Sequence, residues 1–429
     1  MITIYAILAI LILALIMIGS PIGYALSIGT LIALWMKGQT DLVFVPLRMF
    51  NGSDMFEMVA IPLFILAGQL MNYGGISRRL VDFASALVGF IRGGLAHVTI
   101  VSCMIFGEMS GSAVADAAAI GPVVIPAMKS KGYPANFAAA VLSSAATTAI
   151  IIPPSIPMII YGVTVGASIT KLFIAGVIPG ILTGGAMMVL TYVLARTRHY
   201  PIEQKFDPGE IWRTFKAALG TFAVPLVIWA GIIGGIFTAT EAAASAVVVA
   251  LVLGLFIYRE FKIRELPEIL LAAANQTATV MVIVAASALL GSYLSNEMIP
   301  QRIAQGILSI TQNRILILLM LNVFFLIVGM FLHSAAAIVM VVPIVWPLVH
   351  DLGIDPVHFG LIVTLNLGIG QQTPPVASVL LTTCSIAKLS ITEVMRVNIF
   401  FILSMLFVLM LVTYIPEISL WLPSLVTTK

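Results

Sequence analysis

Two pairs of adjacent prolines interrupt apolar stretches of the sequence, Pro153-Pro154 and Pro374-Pro375. Because a proline has no amide proton and displaces the carbonyl four residues earlier, each pair leaves two backbone carbonyls without a helical partner. Free carbonyls in an apolar setting are good ligands for a hard cation such as sodium. These carbonyls belong to Ala149, Ile150, Gly370 and Gln371, and the neighbouring side-chain oxygens to Thr147, Thr148, Gln372 and Thr373.

Two short polar breaks are suited to bind an anion beside these carbonyls. Ser110-Gly111-Ser112 directly precedes a helical run from Ala113 to Gly121, and Ser334 precedes a run from Ala335 to Val342. A helix start presents unpaired N–H groups and the positive end of the helix dipole, which suits a substrate carboxylate. The tip carbonyls and hydroxyls suit sodium. We therefore expect two cation sites flanking one anion site.

Charged residues inside apolar stretches are costly and usually either functional or paired. Glu108 and Asp116 flank the first break, and Asp116 follows Ser112 by one helical turn, so it could line the same cavity. For both carboxylates the functional and the structural interpretations stay open. For Glu241 we expect a structural role, because Thr240 can cap the following helix and the carboxylate can complement its dipole.

The composition excludes a soluble enzyme, a nucleic-acid binder and a disordered scaffold. Hydrophobic residues make up 61% of the 429 residues, whereas Asp, Glu, Lys and Arg make up only 9%. A soluble domain would carry about 25% charged residues. This leaves an all-α integral membrane protein whose helices occupy most of the chain.

Apolar runs of about 20 residues, the length that crosses a bilayer core, recur along the chain. The first, near residues 2–18, lacks basic residues ahead of it and a cleavage pattern after it, so we interpret it as a membrane helix. Two longer stretches, 94–128 and 314–349, are broken near their middles and fit re-entrant helical hairpins. The prolines interrupt two further helices, 135–166 and 356–384.

Basic residues predict the orientation, because cytoplasmic loops are rich in Lys and Arg. Arg78, Arg79 and Arg92 precede the first hairpin, and Lys129 and Lys131 follow it, so both its ends are expected in the cytoplasm. The segment 196–216 carries further basic residues and is also predicted to be cytoplasmic. The second hairpin then enters from the opposite side, and both termini lie outside.

The sequence also repeats itself. Pro122 and Pro343, Pro126 and Pro347, Gly132 and Gly353, and the two proline pairs are each 221 positions apart. Inverted repeats with interrupted helices are the architecture of secondary transporters. The predicted division is an N-terminal scaffold (1–57), a first repeat (58–196), a cytoplasmic linker with a two-helix scaffold (197–267), a second repeat (268–414) and a C-terminal tail (415–429).

Five segments together resemble the large membrane subunit of tripartite ATP-independent periplasmic (TRAP) transporters. They follow one another in order over nearly the whole chain: 110–121, Ile152-Pro153-Pro154-Ser155, 234–243, 353–360 and Thr373-Pro374-Pro375. The resemblance implies an elevator-type subunit that imports an organic anion with sodium. It also implies two partners, a small four-helix membrane subunit and a periplasmic substrate-binding protein, and a place in the bacterial inner membrane.

The residues and the resemblance together give the expected site residues. Sodium is expected at Ser110, Gly111, Ser112, Thr148, Ala149, Ile150, Gly329, Gly370, Gln371 and Thr373, and substrate at Ser112, Asp116, Ser155, Ser334, Gln372 and Thr373. Two positions depart from the family pattern: Ala239 stands where the family usually has proline, and His333 where many relatives have an acidic residue. No role is assigned to His333. The hairpin sequence favours a sugar acid such as sialic acid as substrate.

Two alternatives remain open. One is a stand-alone sodium- or proton-coupled carboxylate permease with similar hairpins, and the other is a membrane-embedded enzyme. The enzyme would need catalytic His, Asp or Cys residues clustered at one depth, and the sequence offers only Glu108 with Asp116. The sequence contains no phosphate-binding Gly-x-x-x-x-Gly-Lys-Ser/Thr motif, so transport by this chain is not driven by its own ATP hydrolysis. No cofactor is expected other than sodium as the coupling ion.

Overall fold

The computed structural model describes residues 2–38, 43–200 and 206–426. Within these residues the secondary structure is entirely helical, and nine helices are long and apolar enough to cross a membrane. The predicted all-α membrane fold with two hairpins and two interrupted helices is confirmed. The predicted cytoplasmic segment 196–216 is only partly described, because residues 201–205 lie outside these ranges.

The N-terminal region contains three helices, followed by the first repeat. The three are α1 (Ile2–Met17), α2 (Ile22–Met36) and α3 (Phe44–Ser53). The first repeat consists of α4 (Ala60–Tyr73), α5 (Ile76–Val88), the hairpin α6 (Gly94–Ser110) and α7 (Ala113–Ser130), the interrupted helix α8 (Ala135–Ala146) and α9 (Ile156–Val165), and α10 (Ile169–Thr197). A short 3-10 turn, Thr147–Ile150, continues α8 into the interruption.

Two scaffold helices link this repeat to the second one. They are α11 (Pro208–Ile233) and α12 (Ala239–Val252). The second repeat follows with α13 (Leu266–Asn296), α14 (Ile299–Ile310), the hairpin α15 (Arg314–Phe331) and α16 (Ser334–Asp351), the interrupted helix α17 (Pro356–Gly370) and α18 (Ser378–Ala387), and α19 (Ile391–Tyr414). Each element of the first repeat, α4 to α10, therefore has a counterpart in α13 to α19.

Three features differ from the sequence-based expectations. The segment 415–429, expected to be a tail, contains the helix α20 (Glu417–Val426), which packs against α10 and α17. Each repeat has an additional short amphipathic helix, α5 or α14, between its first helix and its hairpin. Thr238, and not Thr240, caps α12: its hydroxyl accepts from the amide of Glu241 at 3.3 Å, and the Glu241 carboxylate accepts from the amide of Thr238 at 2.8 Å.

The two repeats exchange partners in the core. Helix α9 of the first repeat packs against α16 of the second hairpin, and α18 of the second repeat packs against α7 of the first hairpin. Because α9 and α18 are each buried against the hairpin of the other repeat, both hairpin tips are brought into the middle of the molecule. Helix α4 packs against both α12 and α13, and α2 packs on α13, forming a scaffold layer.

Candidate substrate and cation sites

A cavity of about 610 Å³ lies where the two hairpin tips meet the scaffold. Gly111 and Ser112 border it from the first tip, and His333 and Ser334 from the second. Further lining residues come from the first interruption and from helices α4 and α13: Ile150, Ile156, Pro157, Gln69, Gln276 and Thr279. The structure therefore brings together the two breaks that the sequence singled out.

The first tip is shaped by a glycine and closed by a serine cap. Gly111 adopts a left-handed conformation with φ +58°, which allows the chain to reverse between α6 and α7. The hydroxyl of Ser112 then caps α7 by accepting from the amide of Ala115 at 3.5 Å. A β-carbon added at Gly111 would lie 3.2 Å from the carbonyl oxygen of Pro154, so the tip rests directly on the first proline break.

Asp116 lies behind this tip and does not line the cavity. Its side chain is fully buried, and its Oδ1 accepts a hydrogen bond from the hydroxyl of Ser110. The amide of Ser112 donates to the same hydroxyl at 3.1 Å, so Ser110 joins the carboxylate to the backbone of the tip. The predicted direct contact of Asp116 with the cavity is therefore absent from the described arrangement. Asp116 instead holds the loop that forms the tip.

The second tip is tied to the second interruption. Ser334 begins α16 directly after His333, and the side-chain amide of Gln371 donates to the Ser334 hydroxyl at 3.0 Å. The amide of Val376, in the loop after Pro374-Pro375, donates to the carbonyl of Met330 at 3.2 Å. Hairpin and interruption thus form one unit in this repeat as well.

The predicted cation ligands of the first repeat surround the 3-10 turn. The hydroxyl of Thr148 donates to the carbonyl of Ala145 at 2.6 Å, and that of Ser155 donates to the carbonyl of Ile150 at 2.8 Å. A hydroxyl or carbonyl oxygen with one hydrogen bond keeps a lone pair for a cation. Ser155 also caps α9 by accepting from the amide of Met158 at 3.5 Å, and it is fully buried rather than facing the cavity.

The predicted ligands of the second repeat are arranged in a tight turn. The carbonyl of Gly370 accepts from the amide of Thr373 at 2.9 Å, and that of Gln371 accepts from the amide of Val379 at 3.0 Å. The Thr373 hydroxyl donates back to the carbonyl of Ile369 at 2.8 Å. Each of these oxygens again has at least one lone pair left, although none of these residues borders the cavity.

Gln372 points away from the cavity into the core. Its Oε1 lies 2.6 Å from the hydroxyl of Ser144, and its carbonyl accepts from the side-chain amide of Asn398 at 3.1 Å. All three side chains are fully buried. The structure therefore places the predicted substrate ligand Gln372 in a polar network that ties α8 to α19.

Three helices of the hairpins and the first interruption start at the cavity: α7 at Ser112, α16 at Ser334, and α9, whose first residues Ile156 and Pro157 are in the lining. The scaffold helix α2 also starts there, at Ile22. Each helix start carries a positive partial charge of about half an elementary charge. None of the described lining residues is Asp, Glu, Lys or Arg. The electrostatic field of the cavity is therefore set by helix starts, and it favours an anion.

Sequence reasoning missed the scaffold side of this cavity, where Gln69 and Gln276 project from α4 and α13. A signal was present, since each is a polar amide inside an otherwise apolar run. The motifs alone did not show that these two helices face the hairpin tips.

The fold has a counterpart among solved membrane-protein structures. Over 90% of this chain and 89% of the other, the structure is similar to the crystal structure of the Alcanivorax borkumensis YdaH transporter, with a TM-score of 0.62 and 14% identity. At this identity the likeness concerns the fold alone.

Residues 9–418 match the family described as the tripartite ATP-independent periplasmic transporter, DctM component, and the chain belongs to this family. It is 39% identical to the C4-dicarboxylate TRAP transporter large permease protein DctM of Pseudomonas aeruginosa, with 88% of each chain covered. It is 36% identical to the sialic acid TRAP transporter large permease protein SiaM of Vibrio cholerae, with 96% of this chain and 97% of the relative covered.

The family membership confirms two expectations drawn from the sequence. The chain is a transporter subunit and not an enzyme, since the relatives are named transporter permeases. The family membership and the apolar helices together show that the chain is a multi-pass protein of the bacterial inner membrane.

Proposed function

We propose that this subunit forms the transport pathway of a sodium-driven importer for an organic acid. The observation that carries the proposal is the meeting of three helix starts, those of α7, α9 and α16, at one cavity whose described lining contains no Asp, Glu, Lys or Arg. Such a cavity binds a carboxylate through backbone N–H groups and helix dipoles. Because that field is fixed by the backbone, a co-transported cation is the natural source of additional positive charge.

Two sodium sites follow from the oxygen atoms behind the tips. The first comprises Ser110, Gly111 and Ser112 with the turn at Thr148, Ala149 and Ile150. The second comprises Gly329 with Gly370, Gln371 and Thr373. In both repeats, unwound carbonyls lie beside a hairpin tip, which is the arrangement in which transporters bind coupling ions next to an anionic substrate. Sodium bound there would stabilise the tips and complete the carboxylate site.

The packing supports an elevator motion. The exchanged contacts of α9 with α16 and of α18 with α7 join both hairpins and both interrupted helices into one body. Helices α2, α4, α12 and α13 form the layer against which this body would slide. The cavity lies between the two groups, so a displacement of the first would carry the bound substrate across the membrane.

The family is tripartite, and we propose the corresponding two partners for this chain. They are a small membrane subunit of four helices and a periplasmic binding protein that delivers the substrate. The relatives are named for C4-dicarboxylates and for sialic acid, whose common chemistry is the carboxylate. Sialic acid or another sugar acid is the substrate that we propose to test first.

A stand-alone carboxylate permease, driven by sodium or protons, is the second candidate. It is favoured by the fact that both hairpins, both interruptions and the whole cavity belong to one chain. Genes for a four-helix membrane protein and a secreted binding protein next to this gene would favour the tripartite function. The absence of both would favour the permease.

Uptake into proteoliposomes distinguishes these functions. The chain is reconstituted with its small partner, and uptake of labelled carboxylates, including sialic acid and C4-dicarboxylates, is measured with and without a sodium gradient and the binding protein. Uptake that needs both is the expected result. Uptake independent of the binding protein would indicate the permease, and uptake driven by protons alone would contradict the two sodium sites.

A further inference from the structure

The scaffold side of the cavity contains a pair of hydrogen-bonded amide side chains. Gln69 of α4 donates from Nε2 to Oε1 of Gln276 on α13 at 3.0 Å. Both side chains are half-buried and line the cavity at the hairpin tips. A small adjoining cavity of about 30 Å³ is bordered by the same two glutamines and by Ser110 and Ala115, so the pair lies next to the start of α7.

The pair keeps one amide nitrogen and one carbonyl oxygen without a hydrogen-bond partner. Among the described residues, Oε1 of Gln69 and Nε2 of Gln276 make no further hydrogen bond. If both amides were rotated by 180°, the roles of the two residues would exchange, but one NH2 group and one carbonyl oxygen would still be left without a partner. The hydrogen-bonding capacity of this wall is therefore independent of the amide assignment.

This capacity matches a hydroxyl group better than a carboxylate. A hydroxyl donates and accepts, so it can satisfy the free carbonyl oxygen and the free N–H together. An ionised carboxylate only accepts, and it would leave the carbonyl oxygen of the pair facing a negative charge without a donor. A bare methylene group would leave both amide groups unpaired, at a cost in binding free energy.

We propose that Gln69 and Gln276 form a hydroxyl-recognising contact that determines which carboxylates this carrier prefers. The carboxylate lies at the helix starts of the hairpin tips, and a hydroxyl of the same substrate bridges the free N–H and carbonyl of the amide pair. The preferred substrates are hydroxylated acids rather than unsubstituted ones. This inference rests on the proposed function, since it presupposes a carboxylate at the tips.

The test uses acids that differ only in hydroxyl number. Succinate, malate and tartrate have the same carbon chain and charge, and D-gluconate adds a polyhydroxylated monocarboxylate. Binding to the purified complex of this chain with its small partner is measured in sodium from the concentration dependence of the melting temperature. For the unmodified chain we expect tartrate and malate to bind about tenfold more tightly than succinate.

Gln69→Leu, Gln276→Leu and the double variant should lose this preference. We expect the ratio of the dissociation constants of succinate and malate to fall to below about twofold, because the hydroxyl no longer finds its partners. Gln305→Leu, the same chemical change at an exposed position of α14, is the control and should keep the ratio of the unmodified chain. If the pair had only a structural role, its substitution would weaken the binding of all the acids alike and leave the ratio of the dissociation constants unchanged.

The outcomes separate this inference from the proposed function. Equal binding of succinate, malate and tartrate to the unmodified chain, or a preference that survives in the double variant, would overturn the hydroxyl contact. Sodium-dependent binding of succinate in either case would leave the carboxylate site intact. No binding of any of the four acids in sodium would contradict both proposals.

Discussion

Gly370 of the second interrupted helix lies directly against Gly329 of the second hairpin. A β-carbon added at Gly370 would be 2.5 Å from the carbonyl carbon of Gly329. The first repeat has the corresponding contact, since a β-carbon at Gly107 would be 2.7 Å from the Cα atom of Ala149. In both repeats the backbone of a hairpin therefore touches the backbone of an interrupted helix beside a proposed sodium site.

Gly370→Ala should impair both stability and transport. The new methyl group would collide with backbone that cannot rotate away, and we expect the free energy of unfolding to fall by about 1–3 kcal/mol. Thermal unfolding in detergent and sodium-dependent uptake are the measurements. Gly291→Ala on α13, where an added β-carbon meets nothing within 4 Å, is the control and should be neutral or slightly stabilising. Equal behaviour of the two variants would contradict the close contact.

Ser112→Ala should weaken the response to sodium more than it weakens folding. Removing the cap of α7 costs about 1 kcal/mol, and it also removes a proposed sodium and substrate ligand. Ser168 is a matched control, because it caps α10 by accepting from the amide of Lys171 at 3.3 Å but does not border this cavity. The sodium concentration for half-maximal uptake should rise for Ser112→Ala and not for Ser168→Ala. An equal change in both variants would show that Ser112 acts only as a helix cap.

Thr373→Val tests the second sodium site. Its hydroxyl donates to the carbonyl of Ile369 at 2.8 Å, and Thr382 makes the same kind of bond to the carbonyl of Ser378 at 3.0 Å. Thr382→Val is therefore the control. Thr373→Val and Thr382→Val each lose one such bond, but only Thr373 is a proposed sodium ligand. We expect reduced sodium dependence of uptake for Thr373→Val alone, with similar expression of both. An unchanged sodium response would remove Thr373 from the site.

The Ser110–Asp116 hydrogen bond should appear as a coupling energy. We expect Ser110→Ala and Asp116→Ala each to destabilise the protein, and the double variant to cost less than the sum, because both changes remove the same bond. The difference should be about 0.5–3 kcal/mol. Chemical or thermal unfolding of the four proteins measures it. Additive losses would show that the two side chains stabilise the tip independently.

The predicted orientation can be tested with single cysteines. Arg198 ends the cytoplasmic side of α10 in our assignment, and Lys171 lies at its outer end; both are exposed. In a background without Cys103 and Cys384, a membrane-impermeant thiol reagent should label Lys171→Cys in intact spheroplasts and Arg198→Cys only after the membrane is opened. The reverse pattern would invert the topology.

Local signals were sufficient to predict the two tips and the two interruptions. Glycine, serine caps and paired prolines act on the backbone within a few residues, so Ser112 and Ser334 were placed at helix starts from sequence alone. The tail helix α20 and the amphipathic α5 and α14 do not follow from the apolar pattern, because short amphipathic helices do not form apolar runs of membrane length.

Which side chains meet at the sites depends on contacts between segments that are distant in the sequence. Helical spacing suggested that Asp116 shares a surface with Ser112, but its partner is Ser110, on the preceding helix of the hairpin. From the sequence, Gln372 and Thr373 are both expected at the substrate site, but Gln372 contacts Ser144 and Asn398 in the core. Gln69 and Gln276 meet across 207 residues of sequence. No local pattern encodes such pairings.

The exchange of half-helices between the repeats constrains how the protein is made. Helix α9 leaves the ribosome long before α16, against which it packs, and α7 long before α18. The N-terminal half therefore stays in the membrane with its polar tip and unwound backbone uncovered until the C-terminal half has been inserted. Fragments separated between α10 and α11 should consequently mature only when both are synthesised in the same cell.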